Sequence, residues 1–176
     1  MTSIRDDVRS WSEKVLEVPN PHLPNNMPAC PYAKSAWDDD KVEVHEVERI
    51  LDGTVHEADR FHNHDKDLVV VASYNIPDLD DFLESMDLLN NIYSHRDIHI
   101  MVFHPSHGAE EAELDFLYDH DWESGIDREY CMVFIQKLSQ VDAASRTLEK
   151  LGYYKAFSEE EFFNLVLERR RRVSWR

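Results

Sequence analysis

Residues 68–103, LVVVASYNIPDLDDFLESMDLLNNIYSHRDIHIMVF, decide the fold. Leu68 to Tyr74 is a continuous apolar run of strand length, which implies cover on both of its faces. Pro77 and Asp78 then open a helix whose apolar stripe is Leu79, Phe82, Leu83, Met86, Leu89 and Tyr93. IHIMVF at 98–103 reads as a second apolar strand. Strand, helix and strand at this spacing predict a right-handed crossover with the two strands parallel.

Downstream, residues 104–127 form a long polar connection, with a short helix expected around residues 110–118. A third apolar strand fits residues 129–136, EYCMVFIQ. Ser139 and Asp142 predict the cap of a helix that Gly152 stops, and Ser158 and Glu161 the cap of a last helix burying Phe162, Phe163, Val166 and Leu167. The acidic first turn of that helix and its basic end, Arg169 to Arg172, complement the helix dipole.

Upstream, Ile4, Val8, Trp11 and Val15 recur at helical spacing behind a Ser3/Asp6 capping box, so a helix is expected over residues 3–16. Five of the chain's seven prolines follow in VPNPHLPNNMPACPYAK, so residues 18–37 read as an arm packed on the domain. VEVHEVERI at 42–50 alternates like a half-exposed strand, while LDGTVHEADRFHNHDKD after it is ambiguous. The sum predicts an α/β (α+β) domain spanning residues 1–176: a two-layer sandwich with a mixed four-stranded sheet packed by helices, ferredoxin-like in outline.

Composition narrows the function classes. Lys+Arg 19 against Asp+Glu 36 give a net charge of −17, which repels phosphate backbones and anionic membranes, so neither nucleic acid nor membrane is expected as a partner. No apolar run approaches the ~20 residues of a membrane span, no signal peptide is recognisable in MTSIRDDVRSW, and two cysteines fit a reducing cytoplasm. No oligomeric state follows from these counts.

Ligands of parallel strands tend to sit beyond the carboxyl ends, here Tyr74-Asn75 and His104 to His107. Ten histidines make the chain rich in imidazole, the commonest protein ligand for transition metals. The expected function is therefore a small enzyme acting on a small-molecule substrate. His104, His107, Asp119 and His120 are the candidate ligands of a divalent transition metal (zinc, iron or manganese), Arg128 is the anion-pairing catalytic residue, and Tyr74, Asn75 and Ser106 line the substrate. His62 and His64 read as a solvated loop, and His99 as a packed strand residue. Two alternatives stand beside this: a catalytic Cys30 thiol activated by His104, and a non-catalytic acidic interaction module, phage-related or host-encoded.

The set Cys30-Pro31-Tyr32-Ala33, Asp81-Phe82-Leu83 and Phe103-His104-Pro105, followed by Arg128 to Gln136 and Ser139-Gln140-Val141, resembles an uncharacterised bacterial family, a domain of unknown function with CPFA-like and FHP motifs. The resemblance implies that Cys30 and His104 belong to one shared feature; it implies no activity. WESGIDREYC stands here in place of that family's asparagine- and proline-rich stretch.

Overall fold

The computed structural model describes residues 3–106 and 129–174; the segment predicted as a helix near residues 110–118 lies outside them. The first helix, α1 (Ile4–Trp11), starts at the Ser3/Asp6 capping box and continues as a π-helical stretch over Ser12–Leu16. The proline-rich arm folds back, with Pro19 bridged to Pro28 and Cys30 N–H donating to Leu16 O at 2.9 Å, and ends in α2 (Ala33–Asp38). Then come β1 (Val42–Glu46), α3 (Ile50–Arg60), β2 (Leu68–Ser73), α4 (Leu79–Ser94), β3 (Ile98–Phe103), β4 (Cys131–Lys137) and α5 (Leu138–Lys150). A closing helical run comprises α6 (Glu159–Phe162), a π-helical stretch over Phe163–Leu167, and α7 (Glu168–Ser174).

The sheet is mixed and four-stranded, in the order β1-β2-β4-β3. β1 runs parallel to β2, while β4 is antiparallel to both β2 and β3. The two strands of the crossover therefore do run the same way, with β4 inserted between them. This split β-α-β makes β2–α4–β3–β4–α5 ferredoxin-like in outline. β1 supplies the remaining edge.

Helices cover both faces, so the two layers expected become three. Val69, Val71, Cys131, Val133 and Ile135 face α3 and α4, whereas Val70, Ala72, Met132 and Phe134 face α1 and the arm. The period-2 alternation of side chains makes one apolar run serve two cores. Asn90 closes the outer edge of β3: its side-chain amide donates to Ile100 O at 2.5 Å and its carbonyl accepts from Ile100 N at 2.8 Å. Those backbone groups would otherwise be an open strand edge.

Three local expectations change. β1 ends at Glu46 rather than residue 50, and α3 fills the ambiguous polar stretch. The buried stripe of α3 is Ile50, Thr54, Glu57 and Ala58, half of it polar, so hydropathy hides it. α5 is tied not by a cap of its own but by Asp97, whose carboxylate accepts from Ser139 N–H (2.8 Å) and Ser139 Oγ (2.7 Å). In the last helix only Val166 is fully buried, and Phe163 is exposed. Gly152 does stop α5, at φ 81°, and Ser158 and Glu161 form the expected capping box.

Gly53 sits where α3 presses close against the sheet: a Cβ there would meet Val47 Cγ1 at 2.7 Å and Val71 Cγ1 at 3.0 Å. Gly53→Ala should destabilise the fold despite the ~1 kcal/mol gain in helix propensity, because overpacking costs about 1–3 kcal/mol. A denaturant midpoint at or above the parent's would contradict this. His99, buried on β3, is held neutral first by burial and then by the Arg169 and Arg172 charges, which push its pKa down to about 3. The unfolded imidazole takes its proton near pH ~6.5, so stability should fall as pH drops from there toward 3. The effect scales at about 1.4 kcal/mol per pKa unit. His99→Leu should flatten that limb of an acid-unfolding curve.

Candidate functional site

The carboxyl ends of β1, β2 and β3 and the start of β4 share one sheet edge, as the registers Glu46↔Ala72, Ser73↔Cys131 and Phe103↔Met132 require. A cleft of about 370 Å³ opens there between Glu46, Val47, Glu48, Tyr74 and Asn75. Tyr74 donates its hydroxyl to buried Asp7 at 2.8 Å, and Asn75 donates its side-chain amide to Glu48 O at 3.1 Å. Both side chains are thus engaged in joining strand exits to their neighbours. Tyr130 packs edge-on against Tyr74, and burial, with the Asp7 carboxylate, pushes its phenol pKa well up.

His104 sits at this edge with both ring nitrogens committed to backbone. Nε2 donates to Pro77 O at 3.0 Å and Nδ1 accepts from Ser106 N–H at 3.1 Å, with the ring against Phe82. A carbonyl only accepts and an amide only donates, so this is a neutral Nε2–H imidazole with no lone pair left for a metal or a proton. Ser106 contributes that amide while its side chain is exposed. Of the other candidates, His107, Asp119, His120 and Arg128 lie outside the described residues.

Cys30 is elsewhere. It packs under α1 on one face of the sheet, while His104 stacks on Phe82 from the opposite face. The sheet separates thiol from imidazole, so the Cys30–His104 pair is not formed. Burial pushes the Cys30 thiol pKa up, and Glu17 adds to it; burial likewise takes Cys131 to about 11.

A different group of titratable side chains does converge. Glu43 and His45, two residues apart on edge strand β1, share its α3-facing side; Glu57 projects from α3; His64 comes from the loop after it. His64 Nδ1 lies 2.9 Å from Glu43 Oε2, and His64 Nε2 lies 3.2 Å from Glu57 Oε2. His45 Nε2 is 3.3 Å from Glu43 Oε1 and 3.8 Å from Glu57 Oε2. His56 Nδ1 holds the other Glu57 oxygen at 2.9 Å. The Glu57 and His64 side chains are only 7% and 13% exposed. Burial acts to raise the Glu57 carboxyl pKa; the His56 hydrogen bond and the His45, His56 and His64 charges outweigh it, holding the carboxyl below its usual range. His45 Nε2, Glu57 Oε2 and His64 Nε2 are buried and make no hydrogen bond. Among the described residues no group of three or more His, Cys, Asp or Glu side chains is arranged, as it stands, to hold a metal ion.

Sequence reasoning placed His64 in a solvated loop and passed over His45, Glu43 and Glu57. The available signal was the Glu-x-His pair on β1, which puts a carboxylate and an imidazole on one strand face. What α3 contributes needed the fold.

No family model matches this chain, and no curated protein or solved structure matches it. Among the described residues no helix is long and apolar enough to cross a membrane.

Both thiols should resist alkylation at neutral pH. Iodoacetamide labelling of the folded protein is expected to be slow at pH 7 and to rise only above the ~8.5 of an ordinary thiol. Rapid stoichiometric labelling of Cys30 at pH 7 would contradict the burial argument.

Proposed function

We propose that the protein binds a divalent transition metal, of the zinc, iron or manganese class, through His45, His64 and Glu57, and acts with it on a small-molecule substrate. One observation carries this reading: three buried ligand atoms without a hydrogen bond, drawn from β1, α3 and the loop after it, converge at separations of 3.2 and 3.8 Å. Glu43 can only accept from His64, so Nδ1 carries a proton, and Nε2, which makes no hydrogen bond, is the nitrogen that would offer a lone pair to a metal. A proton on Nε2 would make this an imidazolium–carboxylate pair, and a bound metal would take that proton's place between the same two atoms.

Neighbouring ligands of a tetrahedral ion with bonds of about 2.0–2.1 Å stand about 3.4 Å apart, which falls between the two observed separations. Closing the His45–Glu57 gap needs a movement of a few tenths of an ångström. Glu43 on His64 and His56 on Glu57 supply the outer contacts that fix ligand tautomer and orientation in metal sites. Two imidazoles and one carboxylate suit zinc or iron(II) better than magnesium or calcium. Three protein ligands leave a coordination position for water or substrate, where the metal supplies Lewis acidity and lowers the pKa of bound water.

Protein purified without a histidine tag should carry close to one metal ion per chain, or take up one cobalt(II) with the absorption of a low-coordinate site. His64→Ala and Glu57→Ala should abolish stoichiometric uptake with the fold retained by circular dichroism. Glu43→Gln should weaken affinity by about 10–100-fold. Undiminished uptake in both alanine variants, or no uptake by the parent protein, overturns the proposal.

A further inference from the structure

The two edges of the sheet are finished differently. At β3 the Asn90 side chain occupies both outward backbone groups of Ile100. At β1, the other edge, Leu68 N–H donates to Lys41 O at 3.1 Å and Val47 N–H to Ala72 O at 2.9 Å. With the register Val42↔Leu68 to Glu46↔Ala72, the odd-numbered residues of β1 bond β2, and Val42, Val44 and Glu46 turn both backbone groups outward. Among the described residues only Val42 O is met, by Arg5 Nη1 at 3.4 Å; nothing bonds the outward groups of Val44 or Glu46. An open edge of this kind is a template for another strand.

The order of side chains along VEVHE says which strand fits. Charges on an edge usually deter pairing, but here they are complementary under a two-fold axis through Val44. Antiparallel pairing of two β1 strands about that axis sets Val44 against the partner's Val44, Glu43 against the partner's His45, and Val42 against the partner's Glu46. Glu43 and His45 lie in the non-hydrogen-bonded positions, where opposed side chains come closest, and are 34% and 30% exposed. Glu46 falls beside Arg5, which already touches the Val42 carbonyl it would face. Val42 and Val44 pack on the α1 side of the sheet, so Glu46, in step with them, shares the side from which Arg5 comes. Neither Arg5 nor Glu46 has an ion pair among the described residues, and in the dimer each meets the other twice.

We propose that two copies of this chain dimerise edge to edge through β1, Val44 on the two-fold axis, joining their sheets into one. The isologous geometry pairs one segment with itself and leaves no new open edge at the junction. Like net charges of −17 repel at long range, but at physiological salt the Debye length is about 8 Å, so the contacts at the strand decide. The pairing uses backbone groups and edge charges, and stands whether or not the His45–His64–Glu57 group takes a metal.

The test is sedimentation velocity of the full chain from micromolar to near-millimolar concentration at physiological salt, where a reversible monomer–dimer equilibrium is expected. Arg5→Glu and Glu46→Arg should each weaken dimerisation by about tenfold or more, through like charges set opposite each other. Mixing the two variants should restore it, since each supplies the charge the other lacks. A parent chain that stays monomeric throughout overturns the proposal. So does a dimer indifferent to both reversals, or a mixture that pairs no better than either variant alone. Should either variant not fold, amide exchange of the parent decides: protection of Val44 N–H that rises with concentration supports the pairing, and unchanged protection overturns it.

Discussion

The pairing of β2 with β4 at the centre of the sheet is the constraint on which the molecule depends. Val69, Val70, Val71 and Ala72 on one strand and Cys131 to Val133 on the other are fully buried. Six residue pairs tie the strands in antiparallel register. Both faces of that pair are apolar, so each must be covered, by α3 and α4 on one side and by α1 with the arm on the other. Large buried apolar area, at roughly 25 cal/mol per Å², is what allows a chain this acidic to fold at all.

Because the centre is closed, polar chemistry is pushed to the edges. β1 is paired with a neighbouring strand along only one edge, and its Glu43 and His45 reach Glu57 and His64 without entering the apolar core. β3, the opposite edge, carries His99 toward the arginines of α7. The carboxyl ends of the strands, by contrast, are stitched shut: Tyr74 to Asp7, Asn75 to Glu48 and His104 to Pro77. Groups that look reactive in the linear chain there hold strand exits together instead.

Several features were legible in the sequence for physical reasons. The Ser3/Asp6 and Ser158/Glu161 boxes act over three residues, so local spacing reveals them. LVVVASY lacks any polar face, which correctly implied burial from both sides. α3 was illegible because its inward residues include Thr54 and Glu57, whose burial is justified only by partners on other elements. The same holds for Asn90, a polar residue on a buried helix face that closes an edge strand ten residues ahead. For the site, a loop histidine such as His64 gives no sign in one dimension that two carboxylates await it.

The sequence by itself determined the α+β class, the mixed sheet, the common direction of β2 and β3, and the helix boundaries set by caps and by Gly152, since those rest on short-range spacing and hydropathy. Only the tertiary structure decided that β4 slips between β2 and β3, that helices cover both faces, and which histidines meet carboxylates. Strand insertion and side-chain convergence depend on contacts between distant residues, whose closure energies leave no local trace in the chain.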